Sequence, residues 1–295
     1  MNYSKLFGII LLAILALPLS AAVPADTHRY KVAACDWMML KRQKLGEFDL
    51  SRQIGADGVE MDMGGLGKRD TFDNKLRQPH FRKLFRETAD SLGIEVPSVA
   101  MSGFFGQSFI GKPTWSALID DCLSTMDAMG AKVAFLPLGG ISEDWTVKGP
   151  ARSELVRRLH ESGEKAVAQG KVIGIRVPLP AKEAKKLLKE VNSKGVKIYF
   201  NLQDALDTGR DPVKELKTLG KDNICQIHLS NTDGFNLRED PEVDLPAIKA
   251  TLDKMGWSGW LVVERSRDKN HVRDTKRNFG NNVAYIKEVF RHETK

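Results

Sequence analysis

Four side chains able to transfer protons or stabilise negative charge stand at or just beyond the ends of apolar runs: Glu60, Arg176, His228 and Glu264. Glutamate and histidine are common general acids and bases, and a fixed guanidinium can stabilise an enolate or a carboxylate. We therefore predict that these four residues are catalytic. The alternative for each is a structural role inside the fold, such as a buried histidine with satisfied hydrogen bonds or an arginine that neutralises a buried carboxylate.

A second group of polar residues is predicted to bind substrate. Asn201 ends another apolar run, while Asn231, Asp233 and Arg267 lie in predicted loops where they could reach the hydroxyl groups of a small ligand. Solvated loop charge is the alternative for the last three. Weaker candidates are Asp204, Lys182 and the aromatic segment 104–109, which could form an apolar wall or merely pack its own loop.

The elements that must position these residues follow a regular alternation of short apolar runs and longer amphipathic segments. Eight runs are predicted as strands, at residues 30–37, 58–63, 95–100, 132–138, 172–179, 197–203, 223–230 and 259–266. Predicted helices include residues 79–92, 115–129, 153–169, 181–191 and a last helix at 274–291. Eight βα units in a chain of this length predict an α/β protein with a (β/α)₈ barrel, and a doubly wound open sheet is the competing fold.

Side-chain parity favours the barrel. In the run 224–230, Gln226, His228 and Ser230 fall on one face, and Cys225 falls on the other with the apolar residues. Because successive residues of a strand point to opposite sides, one face would line the lumen and the other would meet the helices. The same alternation places Glu60, Arg176, Asn201 and Glu264 on the polar face near carboxyl-terminal strand ends, where barrel active sites form.

The amino terminus predicts export. Lys5 precedes an uncharged stretch from residue 6 to residue 19, followed by small residues, which is the pattern of a secretory signal peptide. We expect residues 1–25 to be removed and residues 26–295 to form the barrel in the periplasm or otherwise outside the cytoplasm, without stable membrane insertion. An uncleaved anchor is the alternative. The three cysteines, at positions 35, 122 and 225, have no metal-site or disulfide spacing and are expected to be buried free thiols.

Composition and charge limit the classes of molecule that the protein is expected to bind. Of 295 residues, 42% are hydrophobic and 28% charged, which is the balance of a folded protein with a sizeable core. Lys and Arg (45) exceed Asp and Glu (38) by 7, but this excess is spread along the chain rather than concentrated in one block. We therefore predict no nucleic-acid partner.

Five motifs, in this order along the predicted strands, carry a resemblance: IGADGVE at 54–60, AMSGFF at 100–105, FLPLG at 135–139, IHLSNTDG at 227–234 and GWLVVERSR at 259–267. With them the chain resembles the xylose isomerase-like TIM barrels, and especially the exported sugar phosphate isomerases/epimerases of Bacteroidota-type bacteria. The resemblance implies a divalent metal held by a Glu, an Asp, a His and a Glu that follow strands five to eight. It also implies two glutamates that act as opposed acid and base.

Only two of those four ligands match, His228 and Glu264, because Arg176 and Asn201 stand at the other two positions. Arginine has no acceptor lone pair, and a neutral amide leaves weak charge compensation for a divalent ion. A metal cofactor is therefore possible but weakened. We hypothesise instead that Arg176 occupies part of the metal space and pairs with Glu264.

The resemblance implies an exported enzyme of the sugar isomerase/epimerase type, which transfers a proton next to a carbonyl of a small sugar or glycoside. Two alternatives remain open. One is a keto-glycoside lyase or hydratase, which needs the same base and enolate stabiliser. The other is a non-catalytic sugar-binding barrel that has lost metal ligands. The sugar, the oligomeric state and the stereochemical outcome do not follow from the sequence.

Overall fold

Eight parallel strands close on themselves into a barrel in the computed structural model, which describes residues 29–138 and 144–291. The strands are β1 Tyr30–Cys35, β2 Gly58–Asp62, β3 Ser98–Ala100, β4 Val133–Pro137, β5 Val172–Arg176, β6 Val196–Asn201, β7 Ile224–His228 and β8 Gly259–Val263. β1 pairs with both β2 and β8, so the sheet has no free edge. This closure confirms the (β/α)₈ barrel and excludes the open sheet. The predicted signal segment lies outside the described residues.

Helices surround the barrel between consecutive strands. They are α1 Gly46–Gln53, α2 Pro79–Leu92, α3 Trp115–Met129, α4 Pro150–Val167, α5 Ala181–Val191, α6 Leu202–Leu206, α7 Pro212–Leu219, α8 Leu245–Met255 and α9 Thr275–Arg291. α2 shows how the local sequence sets the ends of a helix. Pro79 is its first residue, and Gly93 ends it with a left-handed φ of 65°. In the part of the chain that the structure describes, no helix is both long and apolar enough to cross a membrane.

Several strands are shorter than the sequence predicts, and the difference matters for the site. β5 ends at Arg176, β6 at Asn201 and β8 at Val263, whereas the predicted runs continued to residues 179, 203 and 266. Arg176 and Asn201 are therefore the last residues of their strands, and Glu264 is the first residue after β8. Polar groups at these positions face the mouth of the barrel, where side chains and ligands can satisfy them.

The barrel interior is filled by a small cluster that includes Ala33, Ala100, Phe135, Tyr199 and Val262. The opposite faces of the strands contribute to the larger core beneath the helices. The predicted alternation of inward and outward residues is therefore present, and it places the polar face of β7 in the lumen.

Cys225 is an exception to that alternation. Ile198 of β6 pairs with Ile224, but Tyr199 pairs with Gln226, so Cys225 is the extra residue of a β-bulge. Its Sγ lies only 2.6 Å from the place that a Cβ on Gly174 would take. The thiol thus turns toward the interior and is partly exposed, which corrects the prediction of a buried, outward-facing cysteine. All three cysteines are free, as expected.

Candidate active site

Parallel strands bring the predicted catalytic residues to one end of the barrel. Arg176, Asn201 and His228 are the last residues of β5, β6 and β7, and Glu264 follows β8 directly. Since all strands run in the same direction, their carboxyl ends share one mouth, where barrel enzymes carry their active sites. Four distant segments therefore converge as the side-chain parity predicted.

Glu264 is the centre of the site. Its Oε1 accepts a hydrogen bond from Arg176 Nη1 at 3.0 Å, and its Oε2 accepts from Asn201 Nδ2 at 2.6 Å and from Ser230 Oγ at 2.9 Å. The side chain keeps 10% of its surface exposed, so it remains accessible from the mouth. The predicted contact between Arg176 and Glu264 is present. Ser230 was visible in the sequence only through the parity that it shares with His228.

The surroundings of Glu264 hold it in the charged form. Burial is the largest single influence and acts to raise the pKa of this carboxyl, but the nearby charges of His228 and Arg176 act to lower it. Hydrogen bonds from Ser230 and Asn201 act in the same direction, and the pKa lies below its ordinary value. Glu264 is thus a carboxylate at neutral pH, which is the state required of a base.

Arg176 is held by two carboxylates. Its Nε and Nη2 donate to Asp204 at 2.9 and 2.7 Å in a bidentate pair, which leaves Nη1 for Glu264. Its guanidinium carbon lies 5.2 Å from the ring centroid of Phe105. Burial acts to lower the pKa of Arg176, but Glu264 and Asp204 raise it above its ordinary value, so the cation is permanent.

Asp204 was only a weak candidate from the sequence, and a short helix explains its place. α6 begins at Leu202, immediately after β6, and turns Asp204 back over the mouth. The side chain of Asn201 caps this helix, because its Oδ1 accepts the backbone N–H of Gln203 at 2.9 Å. Residues 201–206 carry no sequence signal for a helix of five residues. Because this helix places Asp204, its ion pair with Arg176 could not be predicted from the sequence.

A buried polar chain continues from Glu264 into the barrel. His228 Nδ1 lies 3.6 Å from Glu264 Oε2, and His228 Nε2 shares a hydrogen bond of 2.8 Å with Glu60 Oε1. Tyr199 and Ser98 each donate a hydroxyl to Glu60 Oε2 at 2.6 Å. Burial, followed by the charge of Glu60, raises the pKa of Tyr199 well above its ordinary value, so its hydroxyl stays a donor. His228 and Glu60 are fully buried.

This depth corrects one expectation. Glu60 was considered as a base or as a residue that orients substrate hydroxyls, but it lies beneath His228 and out of reach of the mouth. Its oxygens are already occupied by Tyr199, Ser98 and His228. Glu60 therefore braces the imidazole, and its influence on a substrate passes through His228.

Three predicted substrate-binding residues do not join the cluster. Asn231 is buried, and its Nδ2 donates to the carbonyl groups of Thr232 and Phe235, which makes it a support of its own loop. Asp233 is exposed and lies 3.5 Å from Arg265. Arg267 is exposed at the rim, and Lys182 is exposed on α5. For Asn231 the structure contradicts a direct contact with ligand.

Aromatic side chains form one wall of the mouth. Trp37, which follows β1, stacks against Phe135 with the ring planes 14° apart, and Phe105 lies 5.8 Å from the same ring. Both Trp37 and Phe105 are partly exposed. Phe104 and Phe109 instead pack edge to face at 5.3 Å and are buried. Of the predicted aromatic segment, only Phe105 reaches the site.

The donor set does not fit the metal that the resemblance implied. Arg176 Nη1 occupies Glu264 Oε1, and Asn201 turns its NH₂ group toward Glu264 Oε2. The amide oxygen of Asn201 accepts the N–H of Gln203 and is not free for a metal. Within residues 29–138 and 144–291, no three His, Cys, Asp or Glu side chains are grouped to hold an ion. The cation at this position is the guanidinium of Arg176.

A second group of carboxylates lies beside the first two strands. Asp36 accepts hydrogen bonds from the backbone N–H groups of Gln43 at 2.8 Å and Asp62 at 3.1 Å. Asp62 Oδ1 accepts from the N–H of Gly64 at 2.8 Å and lies 3.1 Å from Arg42 Nε. Asp62 Oδ2 and both carboxyl oxygens of Glu47 are buried without a hydrogen-bond partner.

Burial dominates this second group. It raises the pKa of Asp62 to about 8, with a further contribution from the charge of Asp36. Burial, followed by the charge of Asp36, also raises the pKa of Glu47 well above its usual range. Glu47 is therefore protonated at neutral pH. The sequence placed Asp62 on the polar face of β2 but gave no sign of this cluster.

The fold and the site together define an α/β barrel whose mouth carries a carboxylate, a guanidinium and a buried imidazole. Residues 48–289 match the xylose isomerase-like TIM barrel, and the chain belongs to that family. This membership confirms the resemblance found in the motifs.

Several similar proteins are sugar epimerases or isomerases. A 2-epi-5-epi-valiolone 7-phosphate 2-epimerase from Actinoplanes is 26% identical over 190 residues, which span 62% of this chain and 66% of that relative. The solved D-psicose 3-epimerase of Clostridium cellulolyticum, with D-tagatose, is similar at TM-score 0.70 and 14% identity, over 88% of this chain and 99% of the other. The solved sugar phosphate isomerase/epimerase of Parabacteroides distasonis is similar at TM-score 0.68 and 14% identity, over 91% of this chain and 97% of the other. The solved 3-keto-D-glucoside 4-epimerase of E. coli is similar at TM-score 0.66 and 14% identity, over 88% of this chain and 99% of the other.

Proposed function

We propose that this protein is an exported enzyme of the sugar isomerase/epimerase type, which moves a proton on the carbon next to a carbonyl of a free sugar or a glycoside. The observation that carries the proposal is Glu264, an ionised and accessible carboxylate held against Arg176 at the barrel mouth. Export, expected from residues 1–25, makes phosphorylated sugars poor substrates and favours free sugars and glycosides.

Glu264 is the base in this mechanism. One of its oxygens takes the proton from the carbon beside the carbonyl, the C–H electrons form a carbon–carbon double bond, and the carbonyl oxygen becomes an enolate. Arg176 stabilises that negative charge with its remaining N–H donors, and Asp204 already holds the guanidinium in place, so little reorganisation accompanies the reaction. In an isomerisation, the proton of the neighbouring hydroxyl group then passes to the former carbonyl oxygen, Glu264 returns its proton to the former carbonyl carbon, and the carbonyl forms at the neighbouring carbon.

His228 assists from below. Its Nδ1 has no hydrogen-bond partner, lies 3.6 Å from Glu264 Oε2 and is buried, while Nε2 is fixed by Glu60. The imidazole, held at Nε2 by Glu60, presents Nδ1 to Glu264 Oε2 and fixes the position of the carboxylate that reacts. The buried chain from Glu60 through His228 to Glu264 therefore positions the base from below.

A lyase or hydratase that acts on keto-glycosides is the second candidate, and the number of accessible bases favours it. Epimerisation by two opposed bases requires a second free carboxylate at the mouth, but both oxygens of Asp204 are bound by Arg176 and Glu60 is buried. Elimination requires one base. In that reaction the enolate electrons expel the substituent on the neighbouring carbon, and its oxygen leaves with a proton.

The test is solvent exchange in D₂O, followed by ¹H NMR on purified signal-free protein. The probes are D-fructose, D-tagatose and methyl 3-keto-β-D-glucoside, each with and without EDTA. We expect exchange of the proton beside the carbonyl, unaffected by EDTA. Exchange without net product identifies enolisation, and release of methanol identifies the lyase.

Two results would contradict the proposal. A stoichiometric metal in the protein as purified, with exchange abolished by EDTA, would remove Arg176 from its role as the cation. Sugar binding without exchange for any probe would favour a non-catalytic sugar-binding barrel.

A further inference from the structure

A second cavity opens at the rim of the mouth, between the loops that follow β1 and β8. It has a volume of about 180 Å³, and its lining includes Met38, Leu40, Arg267, Val272 and Phe279. Apolar and polar side chains share its walls about equally, and Arg267 is the charged member. A cavity of about 150 Å³ is large enough to bind benzene. The size and the mixed lining suit one planar ring with polar substituents.

Two loops contribute residues both to this cavity and to the candidate active site. Met38 lines the cavity and also packs, beside Trp37, against the cluster inside the barrel. Ser266 lines it from the other side, two residues beyond Glu264. The cavity and the candidate active site therefore share the loops that follow β1 and β8.

The apolar residues of this rim are exposed more than packing requires. Leu40 is 72% exposed and Val272 is 63% exposed, the two highest values among the large apolar side chains of the described residues. Leu40 also has a φ of 61°, a left-handed conformation that leucine rarely adopts. A strained backbone that holds an apolar side chain in water is a sign of a binding role.

Polar side chains supply the other half of the lining, at Ser266, Arg267, Thr275 and Asn278. Hydroxyl groups on a ligand can hydrogen-bond with side chains of this kind.

We propose that this cavity, between Met38, Leu40, Val272 and Asn278, is a subsite for the aryl aglycone of a glycoside whose sugar lies at Glu264. The inference rests on the proposed function and narrows its substrate class from sugars in general to aryl glycosides. Hydroxylated rings bind best, because half of the lining side chains are polar. Arg267 at the rim also favours rings that carry negative charge.

The experiment compares two probes by isothermal titration calorimetry on the signal-free chain: phenyl and methyl 3-keto-β-D-glucoside. We expect the phenyl compound to bind roughly tenfold more tightly, from the apolar surface that the ring buries. Leu40→Asn removes the side chain but suits the left-handed backbone, so this variant should fold and should lose most of the preference for phenyl. Val272→Asp is the second variant, with the same expectation. Leu84→Asn, an exposed leucine on α2 outside the cavity, is the matched control and should keep it.

Failure of the subsite and failure of the proposed function give different results. Equal affinity for the two probes, or a tenfold preference that persists in both Leu40→Asn and Val272→Asp, overturns the subsite and leaves the proposed function in place. Absence of binding and of solvent exchange for both probes overturns the proposed function and, with it, the subsite. A preference lost in the two cavity variants and kept in Leu84→Asn supports the subsite.

Discussion

Two buried carboxyl groups, Glu264 and Asp62, stand at the same end of this barrel, and their surroundings favour opposite charge states. Glu264 is surrounded by donors from Arg176, Asn201 and Ser230, and its pKa lies below the ordinary value. Asp62 is also buried, but Oδ2 has no partner, and burial raises its pKa to about 8. Burial acts against the charge in both places, and the sign of the neighbouring charges decides the outcome, because His228 and Arg176 lower the pKa of Glu264 whereas Asp36 raises that of Asp62.

The two groups therefore have different uses. Glu264 is ionised and accessible, as a base must be. The carboxyls of Asp36 and Asp62 organise the loop that follows β1, because Asp36 accepts the N–H of Gln43 and Asp62 contacts Arg42. That loop carries Trp37 to the mouth. One group can perform chemistry, while the other positions part of the wall.

Replacing the mouth carboxylate should have the largest effect. Glu264→Gln keeps the shape but cannot accept a proton, so we expect solvent exchange to fall by about 10³-fold or more. Circular dichroism should show an intact barrel. The matched control is Asp233→Asn, which neutralises an exposed carboxylate near the mouth and should leave exchange unchanged. Exchange at the wild-type rate in Glu264→Gln would show that another group is the base.

Arg176→Met should be nearly as damaging, because it leaves Glu264 and Asp204 without a cation. Losing one partner of a buried ion pair costs about 3 to 5 kcal/mol of stability, and losing the enolate stabiliser costs about 10²-fold to 10³-fold in rate. The pKa of Glu264 should rise toward that of an uncompensated buried carboxyl. The acid limb of the pH–rate profile should therefore move to higher pH. Arg176→Lys keeps the charge but not the bidentate pair, so its rate should fall between the two. An acid limb that does not move in Arg176→Met would show that Arg176 does not set the charge of Glu264.

The sequence predicts part of this site because strand parity is a local rule. Eight βα units indicated a barrel, and the alternation along the later strands then assigned Arg176, His228 and Glu264 to its lumen. Alternation fails where a strand has a bulge, and for this reason Cys225 was placed on the wrong face. It also cannot show how deep a residue lies, which is why Glu60 was expected to reach a substrate.

Contacts made by loops and short helices could not be predicted. The pair between Asp204 and Arg176 depends on where α6 begins, and the cluster at Asp62 depends on a loop with left-handed residues at positions 40 and 43. These conformations are set by tertiary packing rather than by local propensity. The residues with the most unusual pKa values are thus the ones that the sequence identifies least well.

The raised pKa of Asp62 should make the stability of the fold change with pH in the direction opposite to that produced by a salt-bridged carboxylate. The folded pKa of Asp62 is about 8, against an ordinary 3.8, so the folded state holds a proton that the unfolded chain releases. The stability that Asp62 contributes is therefore fully present below about pH 4 and is lost as pH rises toward 8.

Asp62→Asn keeps an acceptor for Gly64 and Arg42 and should remove this decline. Urea unfolding at pH 5, 7 and 9 should show a gain of about 1 to 3 kcal/mol for the variant at pH 9. Asp73→Asn, at an exposed carboxylate nearby, is the control, and parallel pH curves for wild type and Asp62→Asn would contradict the prediction.

Asp204→Asn should have the smallest effect and should separate the position of Arg176 from its charge. The amide retains one acceptor for the guanidinium, so Arg176 stays near Glu264 but is held by one hydrogen bond instead of two. We expect kcat to fall about tenfold, which corresponds to roughly 1.4 kcal/mol in the barrier.

With one competing carboxylate removed, Arg176 should interact more strongly with Glu264. The acid limb of the pH–rate profile should therefore stay in place or move to lower pH, opposite to its movement in Arg176→Met. Asp207 on the same turn accepts a hydrogen bond from Gln203 and acts on Arg176 only through its charge, so Asp207→Asn should change kcat less than Asp204→Asn does. An acid limb that moves to higher pH in Asp204→Asn would mean that Asp204, rather than Arg176 alone, maintains the charge state of the mouth.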